Sequence, residues 1–209
     1  MWHETIDGLR YIVRHEGIRV QLLLLVVTSI VAKPLTDLLP GFAAEVFGRG
    51  SSGLAWLLSF HGAGAMIGAI WMTSRATLKG LTRVTLANIL LMALALLLFV
   101  ATDLFWLALP FVCLTGFAFI VQSISNQTLI QSAIDPALRG RVMSVYGIIS
   151  QGVPSLGTLA MGTVAAQIGL RLPVAIGALV CALLWGWSWR LRAPMAAALE
   201  DSAPAEAVG

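Results

Sequence analysis

Of the chain's 209 residues, 58% are hydrophobic and only 11% charged, against about 25% charged in an average soluble domain. That balance excludes an ordinary water-soluble core and leaves lipid as the surrounding solvent. The formal charge of +3 is scattered over loops without a basic stripe, so nucleic-acid binding has no electrostatic footprint.

Met1 to Arg19 carries Glu4, Asp7, Arg10, Arg14 and Glu16. It has neither the apolar core nor the small-residue cleavage site of a signal peptide. Within it Trp2, Ile6, Leu9 and Val13 recur at helical spacing while Arg10, Arg14 and Glu16 take other faces. The pattern predicts an amphipathic cytoplasmic helix over residues 1–19, lying on the membrane surface and ended by Gly17.

A bilayer core of about 30 Å takes roughly 20 residues of helix to cross. Lipid offers no partner to a free backbone group, so each long apolar run predicts a spanning helix. Six such runs follow, over 20–42, 53–73, 84–101, 104–130, 142–168 and 172–189. The first contains Pro34 and Pro40, and the second has Gly62, Gly64 and Gly68, which permit close helix approach. Asp103, Asp135, Pro136, Gly140 and Gly169 punctuate the later runs. Residues 191–209, rich in Ala, Pro and acidic residues from Ala193 on, predict a disordered tail. The expected fold is therefore all-α and polytopic, a bundle of six transmembrane helices over 20–190.

Basic residues set the expected orientation. Arg10, Arg14, Arg19, Arg75, Lys79, Arg83, Arg139, Arg141, Arg190 and Arg192 fall on one side of the six spans, and only Arg49 and Arg171 on the other. The positive-inside rule makes the first side cytoplasmic and places both termini there, with Trp185, Trp187 and Trp189 at the interface.

Polar groups inside spans are costly and usually face a cavity or a partner. Lys33 and Asp37 are four apart in the first span, within pairing reach on one helical face. They read either as a charge pair in the solute path or as interfacial structure, with Lys33 snorkelling outward. His61, in the second span, titrates nearest neutral pH and is a candidate for a proton-linked step, although a buried histidine equally serves packing. In the fourth span Gln122, Ser125 and Asn126 share a face beside a stripe of Ser123, Gln127 and Gln131. Such amides either hydrogen-bond across helices or line an aqueous path. In the next loop Asp135, Arg139 and Arg141 fix topology or act as a charge latch between helices. Gly152, Gly157 and Gly162, with Pro154, read as packing and bending devices of the fifth span.

Cys113 and Cys181 sit apart in apolar runs and suggest neither disulfide nor metal ligation. No nucleophile with an oriented base and no phosphate-binding glycine loop occurs. The expectation is a non-enzyme without cofactor or metal.

Several stretches carry a resemblance. DPALRGRVMSVYG, Asp135 to Gly147, resembles the loop between the tenth and eleventh helices of the enterobactin-exporter-like branch of the major facilitator superfamily, the transmembrane secretion effectors. DGLRYIVRHEGIR, Asp7 to Arg19, resembles the helix leading into the branch's seventh span. GLAWLLSFHGAGAMIGA, Gly53 to Ala69, resembles the eighth, and SQGVPSLGTLAMGTVA, Ser150 to Ala165, the eleventh. The loop SRATLKGLTRV, Ser74 to Val84, departs from the superfamily signature by lacking its acidic residue.

The resemblance implies the C-terminal half, helices seven to twelve, of a transporter working by alternating access in a bacterial inner membrane. It implies efflux of a small solute and a complementary six-helix half or second copy as partner. Lys33, Asp37, His61, Gln122 and Asn126 are then the candidate path residues. The alternative expectation is a non-transporting remnant or a partner-binding membrane subunit.

Overall fold

The computed structural model describes residues 16–75, 77–134 and 138–200, except the side chains of Glu16, Ala32 and Lys33. Most of the expected lead-in helix, Asp135 and the segment beyond Glu200 lie outside the described residues. Seven α-helices are described: α1 (Glu16–Gly41), α2 (Gly50–Thr73), α3 (Leu81–Ala101), α4 (Phe105–Ala133), α5 (Arg139–Ile168), α6 (Arg171–Arg190) and α7 (Arg192–Glu200).

Four features differ from the sequence expectation. Gly17 does not end a helix but lies within α1, because the missing side chain is used for packing: a Cβ there would stand 2.8 Å from Ala198 Cβ. The first span runs on past residue 42 as a π-helical turn, Phe42–Val46. Pro40, just before it, has no N–H to give to the preceding turn, which loosens the ladder there. The start of the expected disordered tail is the helix α7, whose Met195 and Leu199 are buried; burial of these side chains supplies what local propensity does not.

The fourth difference concerns the count of spans. Five described helical segments, not six, are long and apolar enough to cross a bilayer, and α5 is the exception. It is 30 residues long, but Ser144, Gly147, Ser150, Gln151, Gly152, Ser155, Thr158, Gly162, Thr163 and Gln167 dilute its apolar character.

The helices alternate in direction. At one end Gly17 of α1 meets α7, which follows α6. At the other, Gly41 of α1 meets Leu170 at the start of α6, and Arg171 of α6 pairs with Asp103 after α3. α1 and α3 are thus each antiparallel to α6. α5 runs parallel to α1, with Gly157 against Ile30 and Pro34. α2 and α4 run parallel and very close. The first end carries Arg19, Arg75, Lys79, Arg83, Arg190 and Arg192 and is called here the arginine-rich end.

That opposite end is tied by an aromatic cluster. Phe42 and Phe47 both pack on Phe99, Phe47 meets Phe105 edge-on, and the Arg49 guanidinium lies 4.6 Å from the Phe105 ring centre and 5.1 Å from that of Trp106. Arg171 also donates to the Thr102 carbonyl at 3.3 Å. Its ion pair with Asp103 is solvent-accessible, at 40% and 82% side-chain exposure. Arg171→Ala is therefore expected to cost less than about 1 kcal/mol, read as a small shift of the thermal midpoint in detergent.

Candidate functional site

Among the described residues of this apolar bundle is a cavity with hydroxyls and amides in its wall. It measures about 570 Å³ and lies between α1, α4 and α5, with Met92 of α3 also in its wall. α1 contributes Leu25, Thr28 and Ser29; α4 contributes Phe119, Gln122, Ser123, Asn126 and Gln127; α5 contributes Met143, Tyr146, Ser150, Gln151 and Pro154. Hydroxyls and amides alternate with methionine and aromatic surface, as in sites that bury an apolar body and orient it through a few hydrogen bonds.

The wall is stiffened from behind by a chain of buried amides. Gln21 of α1 donates through Nε2 to Asn126 Oδ1. Gln122 Nε2 donates to the same oxygen at 3.4 Å. Asn88 Nδ2 of α3 donates to Gln122 Oε1 at 3.3 Å and to the Ala118 carbonyl at 2.6 Å. Four side chains, each at most 5% exposed, thereby join α1, α4 and α3. Gln21 Oε1 and Asn126 Nδ2 are buried and have no partner within the described protein, and of the two residues Asn126 borders the cavity. Thr28 turns its hydroxyl back to the Leu24 carbonyl at 2.7 Å, the usual way a threonine satisfies itself inside a helix. Tyr146 hydrogen-bonds Ser123 between α5 and α4.

Of the residues singled out from sequence, Gln122 and Asn126 come together in this wall. The stripe of Gln122, Ser125 and Asn126 is buried, and Ser125 donates to Met72 Sδ of α2 at 3.8 Å. Its neighbour stripe divides: Ser123 and Gln127 reach the cavity, and Gln131 lies half-buried a turn beyond. Gln122 and Asn126 hydrogen-bond across helices and also border the cavity, whereas Ser123 and Gln127 border it without joining the amide chain.

Asp37 stands elsewhere on α1, exposed, and accepts a hydrogen bond from Thr158 of α5 at 2.6 Å. Lys33 belongs to α1, but its side chain lies outside the described residues. His61 is half-buried on α2, away from the cavity lining; its backbone carbonyl is the atom that presses on Gly116 of α4. Arg139 and Arg141 open α5, and Asp135, their expected latch partner, is outside the described residues.

Sequence reading passed over Gln21, Asn88, Ser29 and Tyr146. The signal for the first two was present: a lone amide in an apolar run needs a polar partner on another helix. Nothing in the spacing said which helix. Among the described residues no group of three or more His, Cys, Asp or Glu side chains could hold a metal ion.

The sequence profile of the transmembrane secretion effectors, a branch of the major facilitator superfamily, matches residues 1–208. The chain belongs to that family. It is a multi-pass membrane protein of a transporter family, not of an enzyme family, and the polar cavity is set in a protein whose relatives by family move solutes across membranes. No curated protein matches the sequence.

Proposed function

We propose that this secretion effector exports a small solute by alternating access, and that the cavity between α1, α4 and α5 is its half of the solute path. The observation that carries the reading is the polar wall itself, backed by a buried amide chain in which Asn126, a wall residue, keeps an unpaired donor. Unpaired polar atoms in an apolar bundle are costly unless they are used.

In this reading α5 also crosses the membrane, which makes six spans in all. Its polar composition suits a helix facing a wet path rather than lipid on all sides, and it lies parallel to α1 over the depth of the bundle. The six helices then correspond to helices seven to twelve of the superfamily fold, with both termini cytoplasmic in a bacterial inner membrane. Gln151, Ser155, Leu156 and Leu159 of α5 are exposed, a mixed face that a complementary six-helix half or a second copy would cover. Asp37, Lys33 and His61 are retained as candidates for coupling to a proton, Asp37 being held to α5 through Thr158; Asp135, Arg139 and Arg141 remain a candidate latch.

The test is accumulation of an uncharged fluorescent dye in inside-out vesicles carrying the chain and its complementary half. Ser29→Leu and Ser150→Leu, which remove hydroxyls from the wall, are expected to cut accumulation about tenfold, the size of one or two lost oriented hydrogen bonds. Leu183→Ala, on the 75% exposed outer face of α6, is expected to leave it unchanged. Equal transport by the wall variants and the parent would overturn the assignment.

A further inference from the structure

α7 crosses the arginine-rich end of the bundle and is fastened at two points. One is steric: Ala198 and Leu199 pack so closely on Gly17 that a Cβ there would stand 2.8 Å from Ala198 and 3.1 Å from Leu199 Cγ. The other is electrostatic. Glu200 accepts the Gly80 N–H at 2.7 Å through Oε2 and the Thr82 N–H at 2.8 Å through Oε1. These amides are those of the N-cap residue and the second residue of α3, at a helix start whose N–H groups lack acceptors within the helix and whose dipole end is positive. A carboxylate bridging two of them makes charge-assisted bonds of the stronger kind.

α7 therefore ties α1 to α3. Near this end α1 also meets α4 through the Gln21–Asn126 hydrogen bond. Gln21 is one turn from Gly17 and Leu25, a cavity residue, one turn further, so at 1.5 Å per residue the cavity wall begins about 12 Å from the fastening. A groove of about 370 Å³ beside α7, lined by Arg19, Leu23, Trp187 and Met195 among others, gives the helix space in which to shift.

We propose that α7 is a strap, fastened by Glu200, that governs access to the cavity from the arginine-rich end. Docked, it ties the start of α1 to α3 and keeps it against α4; released, it lets α1 part from α4 and admits water to the wall at Ser29. The device concerns access alone and stands whether or not the cavity carries a solute, so its readout is chemical labelling rather than transport.

The experiment uses the full chain in nanodiscs, with Ser29→Cys in a Cys113→Ser, Cys181→Ser background, labelled by a charged methanethiosulfonate reagent. Hydrogen exchange at Gly80 and Thr82 is followed in parallel. Glu200→Ala and, independently, Gly17→Val are expected to raise both exchange and labelling roughly fivefold, the change expected from losing one good helix cap. Glu200→Gln, which keeps two polar atoms but not the charge, is expected to fall between and serves if the alanine variant does not fold. Faster exchange at Gly80 and Thr82 with unchanged labelling at residue 29 would overturn the proposal, as would no change in either.

Discussion

Gly64→Val is expected to prevent α2 from seating on α4 and to remove most of the folded protein. A Cβ at Gly64 would stand 1.8 Å from the Cys113 carbonyl oxygen, and one at Gly116 would stand 2.0 Å from the His61 carbonyl oxygen. Both obstacles are backbone, so no rotamer change relieves them and the helices must separate. Overpacking that side chains can absorb costs about 1–3 kcal/mol; this clash is expected to exceed about 3 kcal/mol on the same scale. Size-exclusion profiles in mild detergent should show a monodisperse parent and aggregated Gly64→Val and Gly116→Val variants. Gly62→Ala, two residues away with nothing within 4 Å of its missing Cβ, should behave like the parent. A monodisperse Gly64→Val protein would mean that α2 does not approach α4 this closely.

Asn126→Leu is expected to lower stability by about 1–3 kcal/mol, because it leaves the Gln21 and Gln122 amide hydrogens buried without their shared acceptor. The same change removes the unpaired donor from the cavity wall, so dye accumulation should fall at least as far as in the Ser150→Leu variant. The asymmetry of buried hydrogen bonds makes a sharper test. Gln21→Leu combined with Asn126→Leu removes one stranded donor together with its acceptor, and should cost less than the two single changes added together. Unfolding measured in bicelles decides this, and strictly additive losses would show that the two amides are not coupled across α1 and α4.

How much of this was legible in the chain differs by feature. Apolar runs of bilayer length mark out helices because lipid leaves the backbone no alternative, and the runs at 53–73, 84–101, 104–130 and 172–189 correspond to α2, α3, α4 and α6 within about three residues. The run at 142–168 shows where composition becomes ambiguous. The sequence reading counted it among six spans, but the serines, glycines and glutamines along it, several of them facing the cavity, dilute its apolar character, so composition no longer marks it as clearly spanning. Gln122 and Asn126 were visible as an amide pair at helical spacing. That Gln21 and Asn88 are their partners was not, since each is a single amide on a distant helix and nothing local says which helix it meets.

The sequence by itself determined the class of protein, the helical character of its runs and the segregation of arginines to one end. These follow from local composition acting against a fixed solvent, the bilayer. Only the tertiary structure decided that α1, α4 and α5 enclose the cavity, that His61 sits apart from it, and that Glu200 caps α3. It also turned the start of the expected loose tail into α7. Each of these depends on which helices lie side by side, and the closeness of that packing is set by complementary surfaces, such as Gly64 against the Cys113 carbonyl, that no single stretch of chain contains.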